Sequence, residues 1–521
     1  MFYVPLYLEG LRARPLLVFW LATLAQAAVW TLVPLVFYAA PPGALPEVLA
    51  VGHQLQLNGN FGPPLAYWLA EIAFRSAGLF GVYVLSQLCV IATYWCVFTL
   101  GRAIVGATHA AMAVLLMVGI TVFTVPTPDF GPPILAMALW SAALLFYWRA
   151  AIENRREYWY ALGGALALLL MTSDGALILF VALALVVAMT ERGRAVARAP
   201  EPWIVLAGLI GFFCVHVYWL ERSGIMLLPA LARLRGAGMA FGNTTAWLRL
   251  VVALLLAHAG LAVLVVLASG WPRTRAQPAP PVVRAPAPPD AATFVGCLAL
   301  VPALLATIVT VLAGARFPVG GAAPLLVLSG LAVVVAAGRN VELHHQRILG
   351  YAWVGLLLVP ALFIPTVIAV LPWTTGTELQ VAQPASAMGR YFGDSFARRT
   401  GRSLAVVSGD EHLAELIALA APSRPSVYFA ADPGRSPWVS ARDIRDKGAV
   451  IVWTAHGTNP TPPPEIKSRF PDLVPEVPHT FSRPVRGRQP PLLIGWGVIR
   501  PAAAPVAASP AAVSPPVSAT H

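Results

Sequence analysis

Residues 16–38 read LLVFWLATLAQAAVWTLVPLVFY and contain no charged side chain. The run is long enough to cross a bilayer as a helix, which takes about 20 apolar residues. Arg12 and Arg14 precede it. A secretory signal peptide has a similar basic start, but its apolar run is shorter and ends at a small-residue cleavage site. We therefore predict that residues 16–38 form a retained first transmembrane helix.

The rest of the chain repeats this pattern. Of 521 residues, 58% are hydrophobic and 11% are charged, and the mean hydropathy is +0.72. A soluble domain carries about 25% charged residues, so this composition argues against a cytosolic enzyme, a nucleic-acid-binding module and a disordered protein. It predicts an α-helical polytopic membrane protein of about eleven spans, the other ten at 80–100, 109–126, 132–149, 158–173, 175–190, 203–220, 246–270, 293–314, 322–338 and 349–372.

The arginines predict the orientation of these spans. With the N-terminus inside, the inside segments hold fourteen arginines and the outside segments up to Trp373 hold six. Cytoplasmic loops collect Arg and Lys, so the net charge of +12 is first a sign of topology. We predict a multi-pass protein of the bacterial inner (cell) membrane with a cytoplasmic N-terminus. Because eleven is odd, everything after Trp373 is predicted to be periplasmic.

The composition changes after residue 373. Charged residues return, and strand-type runs such as LAVVSGD (404–410) and AVIVWTA (449–455) alternate with helical ones such as EHLAELIALA (411–420). Alternating strands and helices favour a small α/β domain. We predict a transmembrane domain at 1–373, a periplasmic α/β domain at 374–500 and, because Pro, Ala, Ser and Val dominate the end, a disordered tail at 501–521.

Acidic residues are scarce on the predicted outer side of the membrane half. An ionisable group near a bilayer is costly, and it is therefore a functional candidate by default. Five acids meet this description: Glu47, Glu71, Asp129, Asp174 and Glu221.

Several of these acids also have a structural interpretation. Asp129 precedes a span and is suited to cap it. Asp174 lies in MTSDG at a hairpin tip, where a cap is common, and Glu47 fits a solvated charge on a loop helix. Glu71 and Arg75, spaced i,i+4 on a predicted surface helix, are typical of an ion pair. No metal-ligand spacing such as HExxH occurs, so we predict neither a metal nor a cofactor.

Short motifs in the loops resemble a known family. The first outer loop holds an acid and then Gly59, Pro63, Pro64, Leu65 and Trp68; further on come Thr127-Pro128-Asp129, Arg316-Phe317-Pro318 and Pro324-Leu325. This order resembles the membrane glycosyltransferases of family 39 type, which include protein O-mannosyltransferases and lipid A aminoarabinose transferases. The resemblance covers roughly the first 350 residues. Where the family has Asp-Glu, this chain reads Ala44-Leu45-Pro46-Glu47, and Gly62 replaces the charged residue before Pro-Pro.

The resemblance implies a GT-C fold and a polyprenyl-phosphate sugar as donor. It implies Glu47 and Asp129 as catalytic carboxylates in one cavity above the spans. Arg316 and Arg249 are the candidates for binding the donor phosphate, and Asp174 is a further candidate. The acceptor is expected to be an envelope lipid, glycan or protein, with membrane lipids as surroundings and no nucleic acid.

Two alternatives to an enzyme are a non-catalytic relative and a lipid or solute transporter. Transporters commonly carry charges in mid-span and internal repeats. In this chain nearly all charges lie at loop edges and no repeat is evident. The sequence therefore favours the glycosyltransferase.

Overall fold

The computed structural model describes residues 9–56, 61–222, 242–270, 282–283, 287–313, 321–341, 344, 346–377, 379–455, 461–485 and 487–502. The chain forms two compact units. Unit 1 comprises Met1–Gln383 with Arg483–Pro490, and unit 2 comprises Pro384–Ser482 with Pro491–His521. All but the first two residues of the predicted tail lie outside the described residues.

Unit 1 is helical because its apolar runs must satisfy every backbone polar group internally, and in a bilayer a helix does so. Each of the eleven predicted spans contains helical structure, but within 109–126 the α-helix ends at Met117, and within 322–338 the α-helix is limited to Ser329–Ala336. The helices of unit 1 are α1 (Pro15–Phe37), α2 (Leu45–Gly52), α3 (Leu65–Val105), α4 (Ala107–Met117), α5 (Pro132–Tyr147), α6 (Glu157–Leu170), α7 (Ala176–Met189), α8 (Glu191–Val196), α9 (Glu201–Arg222), α10 (Gly242–Ala257), α11 (Ala259–Ala268), α12 (Pro289–Ala313), α13 (Ser329–Ala336) and α14 (Gln346–Thr374).

Within the described ranges, six helical segments are long and apolar enough to cross a membrane: Pro15–Phe37, Leu65–Val105, Pro132–Ile152, Thr244–Ala268, Asp290–Leu312 and Gln346–Thr374. Four shorter apolar helices accompany them, at Ala107–Met117, Ala176–Met189, Glu201–Val215 and Pro324–Ala336. The protein is therefore a polytopic helical membrane protein, as predicted, while the count of eleven spans stays a prediction.

Helix α3 is two helices joined at a break. Ala77 and Gly78 have non-helical backbone angles, and Gly78 has φ +61, a conformation that glycine adopts at little cost. The part before the break, from Leu65 to Ser76, corresponds to the predicted surface helix that carries Glu71 and Arg75. The part after the break enters the bundle. The break thus lets one continuous segment lie along the surface and then turn inward.

Gly119 and Gly260 allow the segment that follows α4 to approach the start of α11 closely. The backbone N–H of Leu261 donates to the carbonyl of Gly119 at 2.8 Å. A Cβ atom on Gly119 would lie 2.6 Å from the Leu261 nitrogen, so a larger residue would force the two segments apart. This contact follows the end of α4 and fixes where the next loop begins.

Unit 2 has the predicted small α/β fold. Its strands are β3 (Val406–Gly409), β4 (Ser426–Tyr428), β5 (Ala449–Thr454), β6 (Val474–Phe481) and β7 (Leu492–Ile499). They form a five-stranded sheet in the order β4-β3-β5-β7-β6, with β3, β4 and β5 parallel and β7 antiparallel to both neighbours. Asp410 caps one helix by accepting from the N–H of Leu413, and Ser440 forms a capping box with Asp443 on another. The helices are α15 (Ala385–Thr400), α16 (Glu411–Ala420), α17 (Ala441–Lys447) and α18 (Pro464–Arg469). In unit 1, the two-residue strands β1 (Val282–Val283) and β2 (Asn340–Val341) pair antiparallel.

Candidate active site

Asp129 lies in the loop of residues 118–131, hereafter the Asp129 loop, between α4 and α5. Its Oδ2 atom accepts a hydrogen bond from the backbone N–H of Ala44, 3.3 Å away in the first loop. Gly43 has φ +53, and a Cβ atom there would lie 2.5 Å from Cγ of Asp129 and closer still to Oδ2. Only glycine leaves room for this approach. The two loops that the sequence singled out therefore meet at Asp129.

Asp129 does not cap the helix that follows it. The N-cap residue of α5 is Gly131, and no side chain caps this helix. The carboxylate instead reaches across to a different loop. Of the two interpretations of Asp129 drawn from the sequence, the capping one is wrong.

A buried hydrogen-bond network holds the Asp129 loop to α3. Ser86 donates to the carbonyl of Thr127, and Nε2 of Gln87 donates to Oγ1 of Thr127 at 3.0 Å. Thr127 in turn donates to the carbonyl of Thr124 at 2.7 Å. All three side chains that join the helix and the loop are buried, with Thr127 fully so. The residue two positions before Asp129 is thus fixed by two consecutive side chains of α3.

A second buried clamp holds the start of the same loop. Gln26 of α1 donates through Nε2 to the carbonyl of Phe123, and it accepts at Oε1 from the hydroxyl of Tyr94 at 3.1 Å. Buried polar groups are costly unless they are hydrogen-bonded, so these pairs define one arrangement of α1, α3 and the loop. A rigid loop is what a positioned catalytic carboxylate requires.

Burial raises the pKa of Asp129 to about 6. Hydrogen bonds from the N–H groups of Ala44 and Leu45 oppose this effect, and the neighbouring charge of Glu47 adds to it. Among the described residues, Oδ1 of Asp129 is buried and has no hydrogen-bond partner. The pKa of Asp129 therefore lies closer to neutral pH than that of an ordinary carboxylate.

Glu47 and Asp174 both lie near the hydroxyl of Tyr67. The N–H of Leu65 donates to the carbonyl of Met171 at 2.9 Å, which ties the hairpin tip bearing Asp174 to the start of α3. The Tyr67 hydroxyl donates to the carbonyl of Phe61 at 2.6 Å, and the carboxylates of Glu47 and Asp174 both act on it electrostatically. The N-cap of α7 is Gly175, without a side-chain cap bond, so Asp174 is not its capping residue.

A third group of polar residues lies where α2 ends. The Glu71 carboxylate is 2% exposed, and its Oε1 atom contacts Nε of Arg75 at 2.8 Å and Nδ1 of His53 at 3.0 Å. The pairing of Glu71 with Arg75 was predicted from their spacing, but the part of His53 was missed. The signal was Gly52: a Cβ there would overlap the carbonyl oxygen of Tyr67, so a small residue lets α2 cross α3 and brings His53 to Glu71.

The structure describes only one of the two arginines that are candidates for binding the donor phosphate. Arg249 is exposed on α10, which packs against the turn at Thr121–Phe123 in the Asp129 loop. Arg316 lies outside the described residues. Within those residues, no three His, Cys, Asp or Glu side chains are grouped so that they could hold a metal ion.

Comparisons with known proteins bear on the fold of the chain. Residues 62–219 match the family described as dolichyl-phosphate-mannose-protein mannosyltransferase. The structure is similar to that of ArnT from Cupriavidus metallidurans bound to undecaprenyl phosphate, with a TM-score of 0.51, 13% identity, and coverage of 91% of this chain and 97% of that one. It is also similar to an oligosaccharyltransferase of Archaeoglobus fulgidus, with a TM-score of 0.42, 13% identity, and coverage of 85% and 69%.

No curated protein has significant sequence similarity to this chain. The matched segment begins just before Pro63-Pro64 and contains Asp129 and Asp174. The resemblance read from the loop motifs is therefore confirmed at the level of the fold: the chain is a helical membrane protein with a GT-C fold like that of ArnT, and its residues 62–219 are similar to the mannosyltransferase family.

Proposed function

We propose that this protein transfers a sugar from a polyprenyl-phosphate carrier to an envelope acceptor at the periplasmic face of the membrane. The observation that carries the proposal is Asp129: a half-buried carboxylate, gripped by a second loop, with a pKa raised to about 6 and one buried oxygen without a partner among the described residues. A carboxylate whose pKa is shifted in this way is a candidate for acid–base chemistry.

The reaction needs few protein groups. The acceptor hydroxyl oxygen attacks C1 of the donor sugar, the bond from C1 to the phosphate oxygen breaks, and its electron pair leaves with the phosphate. The acceptor proton passes to the carboxylate of Asp129, which is ionised at neutral pH. Because phosphate is already a good leaving group, no general acid is required. Glu47 lies close enough to raise the pKa of Asp129, and we assign it to orienting the acceptor.

The carrier phosphate requires a cation that stabilises its growing charge. Arg249 is exposed on a helix that packs against the Asp129 loop, and Arg316 precedes a predicted span edge. We propose that both contact the phosphate. The bound undecaprenyl phosphate in the ArnT structure supports a lipid-linked donor for this chain.

The internal geometry of unit 1 supports the side on which the reaction takes place. The N–H groups of Ala39 and Ala40 donate to the carbonyl of Val381 at 2.8 and 3.0 Å. The segments that follow α1 and α14 therefore lie together, on the same side as the loop that holds Asp129. With a cytoplasmic N-terminus, α1 leads to the periplasmic face, and we place the reaction there.

Mass spectrometry of envelope lipids and glycans, with and without the gene, tests the function. We expect one sugar modification to disappear on deletion, to return with the parent gene, and to stay absent with Asp129→Asn at equal protein level. An unchanged envelope would contradict the proposal. Rescue by Asp129→Asn would favour a non-catalytic role, because a transporter or scaffold does not need the carboxylate charge.

A further inference from the structure

The group formed by Glu71, Arg75 and His53 has no part in the proposed chemistry. A buried charge is tolerated only when it is paired, and Glu71 is paired twice through a single oxygen atom. Arg75 donates through Nε, while its side chain is 54% exposed; His53 is engaged through Nδ1, while its side chain is 29% exposed. The buried carboxylate thus fixes two partly exposed nitrogen-bearing groups side by side.

The position of Arg75 indicates what these groups face. Arg75 lies at the end of the surface helix, just before the break at Ala77 and Gly78 where α3 turns into the bundle. Ile72, on the same side of the helix by its i,i+3 spacing, is 58% exposed, and Phe80 beyond the break is 50% exposed. Large apolar side chains exposed on both sides of an arginine, at the joint between a surface helix and a span, are typical of the level of lipid headgroups.

We propose that Arg75 and His53, held by Glu71, form a binding site for the phosphate group of a lipid. A guanidinium presents a planar fork that binds phosphate through two hydrogen bonds, and Arg75 engages Glu71 through Nε while its side chain stays 54% exposed. Anchoring by Glu71 removes side-chain freedom before the lipid arrives, which lowers the entropic cost of binding. His53 engages the same Glu71 oxygen through Nδ1, and its Nε2 donates to a phosphate oxygen when both ring nitrogens carry a proton.

This site is separate from Asp129. Helix α2 connects Ala44, which holds Asp129, to His53, and its eight residues span about 12 Å. Two lipids carry the required chemistry: the polyprenyl-phosphate carrier and a membrane phospholipid. The carrier as source rests on the proposed function, whereas the phospholipid does not.

Lipid titrations of the full chain in nanodiscs test the site and its source. The probes are undecaprenyl phosphate in phosphatidylcholine discs and phosphatidylglycerol in the same discs, with binding followed by native mass spectrometry. A charge-assisted, bidentate contact corresponds to at least about tenfold in affinity. We expect Arg75→Gln and His53→Gln to weaken binding of one of the two lipids, Arg75→Gln by at least about tenfold, and that lipid is then the source.

Arg155→Gln is the matched control, because Arg155 is also 54% exposed and pairs with a nearby acid, Glu153, at 3.5 Å. It should bind both lipids like the parent. Arg75→Lys keeps a charge beside Glu71 should the glutamine variant not fold, and the loss of the fork should still weaken binding severalfold. Parental affinity of the Arg75 and His53 variants for both lipids would overturn the site. It would leave the proposed function standing, since that depends on Asp129.

Discussion

Gly43 and Asp129 are matched to each other across two loops that are far apart in the sequence. The Asp129 carboxylate occupies the space that a side chain at position 43 would need. The backbone of Gly43 is also in the left-handed region, which favours glycine. The atoms that would give way are those of the carboxylate, the movable end of a side chain. A substitution at position 43 is therefore expected to change the orientation of the Asp129 carboxylate more than it changes the fold.

Gly43→Ala should consequently slow sugar transfer by about 10²-fold, the effect expected when a catalytic group is misplaced by about 1 Å. The measurement is kcat in a reconstituted transfer assay, together with the melting temperature. Gly164→Ala is the control, because its Cβ meets open space in α6 and alanine favours a helix. Equal rates for Gly43→Ala and the parent would show that the close approach has no role in catalysis.

The pH profile should follow Asp129. If its carboxylate accepts the proton, the transfer rate rises as pH increases through about 6, the pKa of this group. Because Glu47 contributes to raising that pKa, Glu47→Gln should move the midpoint of its residual activity to lower pH. The measurement is the transfer rate of the parent and of Glu47→Gln from pH 4.5 to 8. An unchanged midpoint in Glu47→Gln would contradict electrostatic coupling between the two carboxylates.

The same carboxylate predicts a stability effect. Its pKa in the folded protein lies above its ordinary value of 3.8, so the folded state binds the proton more tightly than the unfolded state does. The associated stability is fully present below pH 3.8 and is lost as pH rises through about 6. Asp129→Asn should therefore melt no lower than the parent at pH 7.5. A clearly lower melting temperature would mean that the charged carboxylate is structural.

The hydrogen bonds between Thr127 and α3 predict that both stability and the transfer rate depend on the Thr127 hydroxyl. Thr127→Val removes the hydroxyl that accepts from Gln87 and donates to Thr124, at a cost of about 1–3 kcal/mol in the free energy of unfolding. The transfer rate should fall as well, because the loop is no longer fixed. Thr310→Val is the control: Thr310 is also buried but bonds only within its own helix, to Ala306. Similar transfer rates for the two variants would exclude a positioning role for Thr127.

The predicted topology can be tested independently of the chemistry. A phosphatase fused after Val498 should be active, and a reporter that works only in the cytoplasm should be silent there. Both follow from eleven spans and a cytoplasmic N-terminus. The opposite pair of results would place residue 498 in the cytoplasm and would contradict the predicted topology.

The fold was predictable from the sequence because composition alone demands membrane helices and because strands and helices alternate after residue 373. The two loops that carry Glu47 and Asp129 were predictable from their motifs. What brings them together was not: the bond from Ala44 to Asp129 joins residues 85 positions apart. Nothing in the letters PPGAL indicates that Gly43 faces a carboxylate.

The buried clamps escaped prediction for a related reason. Gln26 and the adjacent pair Ser86 and Gln87 are isolated polar residues in apolar runs, and their role can be inferred only when their partners are known. His53 illustrates the same limit, since its partner Glu71 lies 18 positions away on another helix. Local pattern predicts an i,i+4 pair such as Glu71 and Arg75, but contacts between helices depend on packing.

The most direct test of the central claim is the transfer rate of Asp129→Asn with a polyprenyl-phosphate sugar as donor. The amide keeps the size and the hydrogen bond from Ala44, but it cannot take a proton at neutral pH. Loss of a general base costs about 10²–10⁴-fold in rate, so we expect transfer at least about a hundredfold slower, from a protein that inserts and melts like the parent. A rate within a few-fold of the parent would contradict the assignment of Asp129 as the base.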